Sequence, residues 1–366
     1  MILMNDFRAE PESLRQRELE AVERVLRSGW YVLGNEVRQF ESAWARACGV
    51  PHAVGVANGM DAIEIGLRSL GIGPGDEVIT TTLSAFATVL AIVRAGATPV
   101  LADIDPGTAL LSRSSVEACI TERTRAVLLV HLYGQVREMD QWVRWCADHR
   151  LLLLEDCAQA HGATSNGRAA GSFGEWGAYS FYPTKNLGAI GDAGALVTRR
   201  EDVASKARVL LNYGQSQRYH HPELGLNSRL DEVQAAILSV RLEMLSEYTL
   251  RRQQIAQTYF ERITHPEIEL MAQPMAVDSH VYHLFVIRSR QRDRLAEHLR
   301  AHGVESFIHY PVPIHRQPPC ATMRTSATGL LHAEAHASEC LSLPCNPQLS
   351  EAQLGQVIEV VNAFTG

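Results

Sequence analysis

The feature that most constrains the fold is the alternation of short apolar strands with helices in the first half of the chain. Strand patterns at 53–56, 78–80, 98–105 and 126–132 are each followed by a helical pattern, and the next strand is four leucines, Leu151–Leu154. Strands that are apolar on both faces are typical of parallel sheets covered by helices. Helical connections of this length form βαβ units. The sequence therefore predicts an α/β protein with a large, doubly wound, mostly parallel sheet.

A smaller α+β domain is expected at the carboxyl end. Apolar residues at helical spacing predict one long helix over residues 231–262, which would bridge the two domains. We place the large domain, with its N-terminal segment, at residues 1–240 and the small domain at residues 241–366. Residues 316–330 are rich in Pro, Ser, Thr and Gly, which predicts a mobile loop.

Composition excludes several classes of function. The net charge is −7, so no broad basic surface is expected for nucleic acid or membrane binding. No stretch reaches the roughly 18 apolar residues of a membrane span, and the N-terminus lacks a signal-peptide pattern. The seven scattered cysteines contain no C-x-x-C pair, which favours reduced thiols in the cytoplasm.

Lys185 is the leading candidate for a catalytic residue. It lies in a short turn after an apolar run that ends at Pro183, and small residues follow it. A lysine that acts as a Schiff-base nucleophile must be desolvated to lose its proton, and it must face a flat cofactor. For a lysine taken alone, a surface loop position is the better interpretation, so a second signal is needed.

The second signal is Asp156, at the end of the leucine strand. Ligands of open α/β sheets bind at the carboxyl ends of the strands. An aspartate there can pair with the ring nitrogen of pyridoxal phosphate and keep the ring protonated. Asp156 alone would more often be a helix cap or a metal ligand. Together with Lys185 it predicts a pyridoxal phosphate site without a metal.

A strand–turn–helix unit at Asn58–Asp61 could hold a phosphate. Free amides at a helix N-terminus favour an anion. The alternative is an ordinary glycine turn in which Asp61 caps the helix.

The whole pattern resembles the DegT/StrS family of nucleotide-sugar aminotransferases, which have the aspartate aminotransferase fold (fold type I). The resemblance covers nearly the whole chain, and the order of its motifs makes it specific. The motifs are SGWYVLGNEVRQFE (28–41), GVANGMDAIEIGL (55–67), GIGPGDEVI (71–79), HLYGQ (131–135), EDCAQAHGA (155–163), SFYPTKNLGAIGDAGA (180–195), GLNSRLDEVQAAIL (225–238) and LSLPCNP (341–347).

The resemblance implies the following roles. Lys185 binds pyridoxal phosphate covalently and moves protons, Asp156 pairs with the ring nitrogen, and Gln159 contacts the ring oxygen side. Ser180 and the amides of Gly59 and Met60 hold the phosphate. Asn227 reaches the phosphate from the neighbouring subunit, which requires a homodimer with shared active sites, although Asn227 could instead be a turn residue before the next helix. The expected substrate-binding residues are Tyr31, Tyr310 and His315.

The chain departs from the family pattern at Ala85. Members usually carry an aromatic residue there that stacks on the cofactor ring. Phe86, one position later, either takes over this contact through a local shift or lies in the core. We keep Phe86 as a candidate cofactor-binding residue.

The resemblance implies transamination from L-glutamate to a keto sugar nucleotide. The motif details favour a 3-keto-(6-deoxy)hexose on a dTDP or UDP carrier, in amino-sugar biosynthesis. Three alternatives stay open: a 4-keto sugar nucleotide, a keto-inositol, and a non-catalytic sensor of the same fold.

Overall fold

The computed structural model describes all 366 residues, which form helices, strands and the loops between them. The strands are β1 His52–Val56, β2 Glu77–Thr81, β3 Thr98–Ala102, β4 Thr124–Val130, β5 Leu152–Asp156, β6 Thr164–Ser165, β7 Arg168–Ala169, β8 Gly177–Ser180, β9 Gly194–Thr198, β10 Glu269–Leu270, β11 Phe285–Arg288 and β12 Cys340–Leu343. The helices are α1 Glu12–Ser28, α2 Asn35–Ala47, α3 Gly59–Ser69, α4 Phe86–Arg94, α5 Arg113–Glu117, α6 Met139–Asp148, α7 Glu201–Leu210, α8 Glu232–Leu242, α9 Leu245–Arg262, α10 Arg292–Ala301, α11 Leu331–Glu339 and α12 Glu351–Asn362. None of these helices combines the length and apolarity that crossing a bilayer requires.

Seven strands form the central sheet, in the order β1-β9-β8-β5-β4-β2-β3. The pairs β8–β5, β5–β4, β4–β2 and β2–β3 are parallel, whereas β9 is antiparallel to both of its neighbours. The prediction of a large, mostly parallel sheet is therefore confirmed.

The leucine strand β5 joins two hydrophobic cores, one on each face of this sheet. Leu153 packs in a core with Trp44 and Tyr179, and Leu154 packs in another with Ile65 and Trp176. Successive side chains of a strand point to opposite faces, so an uninterrupted apolar strand fits only where both faces are covered. The strand is thus held rigidly, and so is the acidic residue at its carboxyl end.

A second, antiparallel sheet of β10, β11 and β12 lies in the carboxyl part of the chain. Its core includes Ile255 and Tyr259 of α9, Phe285 of β11 and Val357 of α12, and Ile2 from the N-terminus also joins it. Domain limits at residue 240 stay a prediction.

The prediction of one long helix over residues 231–262 is wrong. Two helices, α8 and α9, replace it, with a turn at Glu243 and Met244 between them. The physical reason lies in the cores that the two helices serve. The apolar face of α8 contributes Leu238 to the core of the large sheet, whereas α9 contributes Ile255 to the core of the small sheet.

Residues 316–330 form a loop, as predicted, with one 3-10 turn at Pro318–Cys320, and their mobility stays a prediction. Backbone hydrogen bonds anchor this loop to the large sheet. The amide of Leu101 donates to the carbonyl of Arg324 at 2.9 Å, and the amide of Ser326 donates to the carbonyl of Leu101 at 2.9 Å. The guanidinium of Arg324 also pairs with Glu77, 2.6 Å away. Since β3 is an edge strand with unpaired backbone groups, this segment covers an edge that would otherwise be open.

Gly66 offers a test of the packing between α3 and the sheet. A methyl group at Gly66 would lie 2.5 Å from the ring of Trp176, which is fully buried. Glycine to alanine in a helix interior normally stabilises a protein by about 0.5–1 kcal/mol. We expect Gly66→Ala to destabilise instead, by about 1–3 kcal/mol, because the core is overpacked.

Gly355 in α12 is the matched control, because a methyl group there meets no atom within 4 Å. Gly355→Ala should raise the free energy of unfolding, measured by denaturant titration. Equal stabilisation by both substitutions would contradict the packing described for Trp176.

Candidate active site

Lys185 lies in a turn that is anchored on both sides. Its amide donates to the carbonyl of Tyr182 at 2.8 Å. The side chain of Asn186 donates to the carbonyl of Val281 at 2.9 Å and pairs with Nδ1 of His283 at 3.2 Å. The Lys185 side chain is partly exposed, yet the protein around its amine lowers its pKa to about 8 by desolvation. The nucleophilic neutral amine is therefore more abundant near neutral pH than for an ordinary lysine.

Asp156 ends β5 and is buried. Its carboxylate accepts hydrogen bonds from the hydroxyl of Thr88 at 2.8 Å and from the amide of Ala158 at 3.1 Å. Desolvation raises the pKa of Asp156, while these two hydrogen bonds and the charges of Lys185 and His131 act in the opposite direction. The structure thus brings Asp156 and Lys185 close enough for each charge to shift the pKa of the other.

Lysine is rare in this chain, which has only Lys185 and Lys206. Lys206 lies in α7 and forms an ion pair with Glu223. The Lys206 amine thus already has a carboxylate partner in the protein. Lys185 is therefore the only lysine whose surroundings favour attack on a carbonyl group.

The N-terminus of α3 provides the predicted anion site. Asn58 caps this helix by accepting from the amide of Asp61 at 2.9 Å. The amides of Gly59 and Met60 in the same turn have no acceptor within the protein. Ser180 packs so closely that a methyl group on Gly59 would lie 2.6 Å from its Cβ atom. Two free amides and one hydroxyl are thus brought together at a helix N-terminus, an arrangement that binds phosphate.

Gln159 connects two parts of the site. Its side-chain oxygen accepts from the amide of Tyr133 at 2.6 Å, and its side-chain nitrogen donates to the hydroxyl of Tyr310 at 3.1 Å. Burial raises the pKa of Tyr310 to about 12, so this hydroxyl stays protonated and can donate to a ligand. The structure therefore places Gln159 and Tyr310 side by side.

The other candidate residues lie in different surroundings. Phe86 is the first residue of α4 and is 38% exposed, so it is not a core residue. Asn227 and Tyr31 are exposed. His315 pairs with Thr82 and Glu334, each at 2.8 Å, which uses both of its ring nitrogens. Its substrate-binding role stays a prediction.

Sequence reasoning missed three side chains near Lys185. Thr88 reaches Asp156 from α4, and His283 reaches the Lys185 turn through Asn186. His309 precedes Tyr310, and its pKa is lowered to about 4, mainly by burial and also by the charge of Lys185. Only His309 had a signal in the sequence, namely its place beside the predicted Tyr310.

Glu155, next to Asp156, has a structural task. Its carboxylate accepts from the amides of Gly171, Phe173 and Gly174, each at 2.8 Å, and it pairs with His131 at 2.9 Å. These bonds occupy its oxygens and hold the loop before β8 against β5. The adjacent acidic residues thus have distinct surroundings, and only Asp156 adjoins Lys185.

These residues fit pyridoxal phosphate. Free amides at α3 suit the phosphate, the Asp156 carboxylate suits the ring nitrogen, and Lys185 suits the aldehyde. Each group lies near the carboxyl end of the parallel strands, where ligands of open α/β sheets bind.

Comparison with known proteins shows the family and the fold of this chain. A model of the DegT/DnrJ/EryC1/StrS aminotransferase family matches residues 12–362. The "Pleiotropic regulatory protein" of Geobacillus stearothermophilus is 42% identical over 99% of this chain and 98% of that protein. The dTDP-3-amino-3,4,6-trideoxy-alpha-D-glucose transaminase of Streptomyces venezuelae is 44% identical over 98% of this chain and 95% of that protein. The crystal structure of S. venezuelae DesV in complex with a ketimine intermediate is 44% identical, with a TM-score of 0.95, and the match covers 99% of this chain and 97% of DesV. This likeness confirms the predicted fold.

The pKa of Lys185 predicts how fast the apoprotein takes up pyridoxal phosphate at different pH values. Only the neutral amine reacts, so the rate should rise with pH and level off above about pH 8 rather than near the ordinary value of 10.5. Stopped-flow absorbance of cofactor uptake measures this midpoint. Because the charge of Asp156 raises the pKa of Lys185, Asp156→Asn should lower the midpoint.

Lys206→Arg is the control for this experiment and should leave the midpoint unchanged. A wild-type rate that still rises steeply at pH 10 would show that the surroundings of Lys185 do not desolvate its amine.

Proposed function

This chain belongs to the DegT/DnrJ/EryC1/StrS aminotransferase family, and from that membership we propose that it moves an amino group from L-glutamate to the keto carbon of a sugar nucleotide. It is a pyridoxal phosphate-dependent sugar aminotransferase of fold type I. The single observation that supports the proposal is that the charges of Lys185 and Asp156 influence each other, while the amides at the start of α3 are free to bind an anion.

Each residue has a distinct task in this proposal. Bound pyridoxal phosphate supplies an electron sink for the carbon that loses its proton. Lys185 holds the cofactor and then moves the proton, because its lowered pKa lets the amine act as a base near neutral pH. The Asp156 carboxylate keeps the ring nitrogen protonated, and the α3 amides with Ser180 fix the phosphate. Gln159 and Tyr310 orient the ring and the substrate.

The proposed acceptor is a 3-keto sugar carried by dTDP or UDP. The support is the S. venezuelae relative, a dTDP-3-amino-3,4,6-trideoxy-alpha-D-glucose transaminase, whose name places the amino group at carbon 3 of a dTDP sugar. A 4-keto sugar nucleotide and a keto-inositol are outcomes of the same test. The name of the G. stearothermophilus relative would favour a regulatory protein, but a sensor has no need of a desolvated lysine facing an aspartate.

An acidic amino donor is supported by a buried cation. Arg252 is 6% exposed and lies on a cavity that also borders Lys185. Its guanidinium donates to the carbonyls of Cys345 and Tyr282, at 2.7 and 3.3 Å, and it forms no ion pair with a carboxylate of the protein. A buried cation without a counterion is costly, and a substrate carboxylate would remove that cost. We therefore place L-glutamate ahead of neutral amino acids as the donor.

The proposed assembly is a homodimer with shared active sites. Exposed apolar side chains are contiguous at Trp30–Leu33, which suits a surface that a second copy covers. Asn227 is exposed, and the hydroxyl of the next residue, Ser228, accepts from the amide of Ala57 at 3.1 Å, just before α3. This position lets Asn227 serve either its own site or that of the partner.

All seven cysteines are free and buried, which supports the cytoplasm as the location.

The substrate proposal is tested with purified protein, pyridoxal phosphate and pairs of substrates. We expect turnover of a 3-keto sugar nucleotide with L-glutamate, weak turnover with L-alanine, and none for Lys185→Ala, measured by mass spectrometry of the amino sugar. Lys206→Arg is the matched control and should keep full activity. Turnover of the 4-keto compound alone would contradict the 3-keto assignment. A Lys185→Ala variant with wild-type turnover would contradict the role of Lys185 in the reaction.

The shared site is tested by mixing two inactive variants, Lys185→Ala and Asn227→Asp. If Asn227 serves the partner, each mixed dimer regains one intact site, and random mixing should restore about one quarter of wild-type activity. The measurement is specific activity after subunit exchange, with size-exclusion chromatography to show the dimer. If Asn227 serves its own subunit, no activity returns.

A further inference from the structure

We propose that Thr88, supported by Ser84, is a positioning residue that keeps Asp156 ionised so that the proton of the Asp156–cofactor pair stays on the ring nitrogen. This inference rests on the proposed role of Asp156 and goes beyond it, because it assigns a function to two hydroxyl groups that do not themselves touch the reacting atoms.

The geometry defines a directed chain of hydrogen bonds. The hydroxyl of Thr88 lies 2.8 Å from Oδ2 of Asp156, and the hydroxyl of Ser84 lies 2.8 Å from that of Thr88. An ionised carboxylate can only accept, so Thr88 donates to Asp156. The Thr88 oxygen is then free to accept from Ser84. Thr88 thus donates to the carboxylate, and Ser84 donates to Thr88.

Burial makes this chain strong. Ser84, Thr88 and Asp156 are 5%, 1% and 6% exposed, so water competes little for these bonds. Hydrogen bonds to charged groups are stronger than neutral ones, and successive bonds polarise one another in a low dielectric. A hydroxyl that already accepts a bond is a better donor, which is why Ser84 matters although it does not reach Asp156.

The backbone placement of Thr88 indicates that its hydroxyl serves this contact. Thr88 is the third residue of α4, so no helical carbonyl lies four residues before it to take its hydroxyl. The hydroxyl of Thr88 extends from α4 to the end of β5, where it donates a hydrogen bond to Asp156. Valine has nearly the same shape and would fill the same volume. The hydroxyl therefore adds nothing to packing that a methyl group would not supply.

Several other groups face Asp156, and they do not replace Thr88. Lys185 and His131 favour the ionised form by their charge, and the amide of Ala158 by a hydrogen bond. Tyr310 and Cys157 also lie near enough to interact with its charge. Burial raises the pKa of Asp156, and the Thr88 bond is the largest single influence that lowers it. Without that bond the carboxylate becomes more basic and draws the proton away from the ring nitrogen.

The test compares Thr88→Val, Thr88→Ser and Ser84→Ala in the holoenzyme. Reconstitution with ¹⁵N-labelled pyridoxal phosphate and ¹⁵N NMR reports directly whether the ring nitrogen is protonated. We expect Thr88→Val to shift this signal towards neutral pyridine and to weaken cofactor binding about tenfold. Thr88→Ser, which keeps the hydroxyl, should behave like the wild type, and Ser84→Ala should give a smaller shift in the same direction.

A double-mutant cycle with Asp156→Asn separates this role from a general effect on the fold. The effect of Thr88→Val on cofactor affinity should disappear when Asp156 is already replaced. An unchanged ¹⁵N signal in Thr88→Val, or an equal loss of affinity in the Asp156→Asn background, would overturn the proposal. If Asp156→Asn itself kept the wild-type ¹⁵N signal, the assignment of Asp156 would fail, which is a separate outcome.

Discussion

The proposed site depends on one electrostatic arrangement, a lysine and an aspartate whose charges influence each other where parallel strands end. Desolvation lowers the pKa of Lys185 to about 8 and raises that of Asp156, while each charge offsets part of the shift in the other. Neither group would be useful in water, where the amine is protonated and the carboxylate is hydrated. The desolvation of Lys185 makes it a base near neutral pH, and the buried Asp156 is a partner for a cationic ring.

The fold keeps these groups in place by close backbone packing. Gly194 lies against the backbone of Asn58, where a methyl group would come within 2.4 Å of the Asn58 carbonyl carbon. The same tight contact brings β9 to the start of α3, while Ser180 approaches Gly59 from the end of β8. Larger side chains would separate the strand ends from the helix N-terminus. The anion site and the lysine turn are thus parts of one packed unit.

The central sheet and the main catalytic candidates could be predicted from the sequence because their signals are local. A continuous apolar strand such as β5 reveals burial on both faces, and an acidic residue after it marks the ligand end. By contrast, Thr88 and His283 approach the site from distant segments, and nothing in their immediate sequence distinguishes them from core or loop residues. Only the three-dimensional packing places them there.

Two segments show how tertiary contacts act beyond the local sequence pattern. Helical periodicity continues through Met244, but the two halves of that stretch belong to different cores, so the helix breaks. Residues around Arg324 have a loop composition, yet they cover the open edge of β3. Composition reports local preference, whereas tertiary partners decide whether a segment bends or becomes ordered.

The most direct test uses the scarcity of lysine in this chain. Holoenzyme reduced with borohydride and digested with a protease that cleaves at arginine should carry the cofactor mass on the peptide that contains Lys185, and the Lys206 peptide should stay unmodified. Cofactor mass on Lys206, or an active holoenzyme with neither peptide modified, would contradict the assignment of Lys185 as the nucleophile.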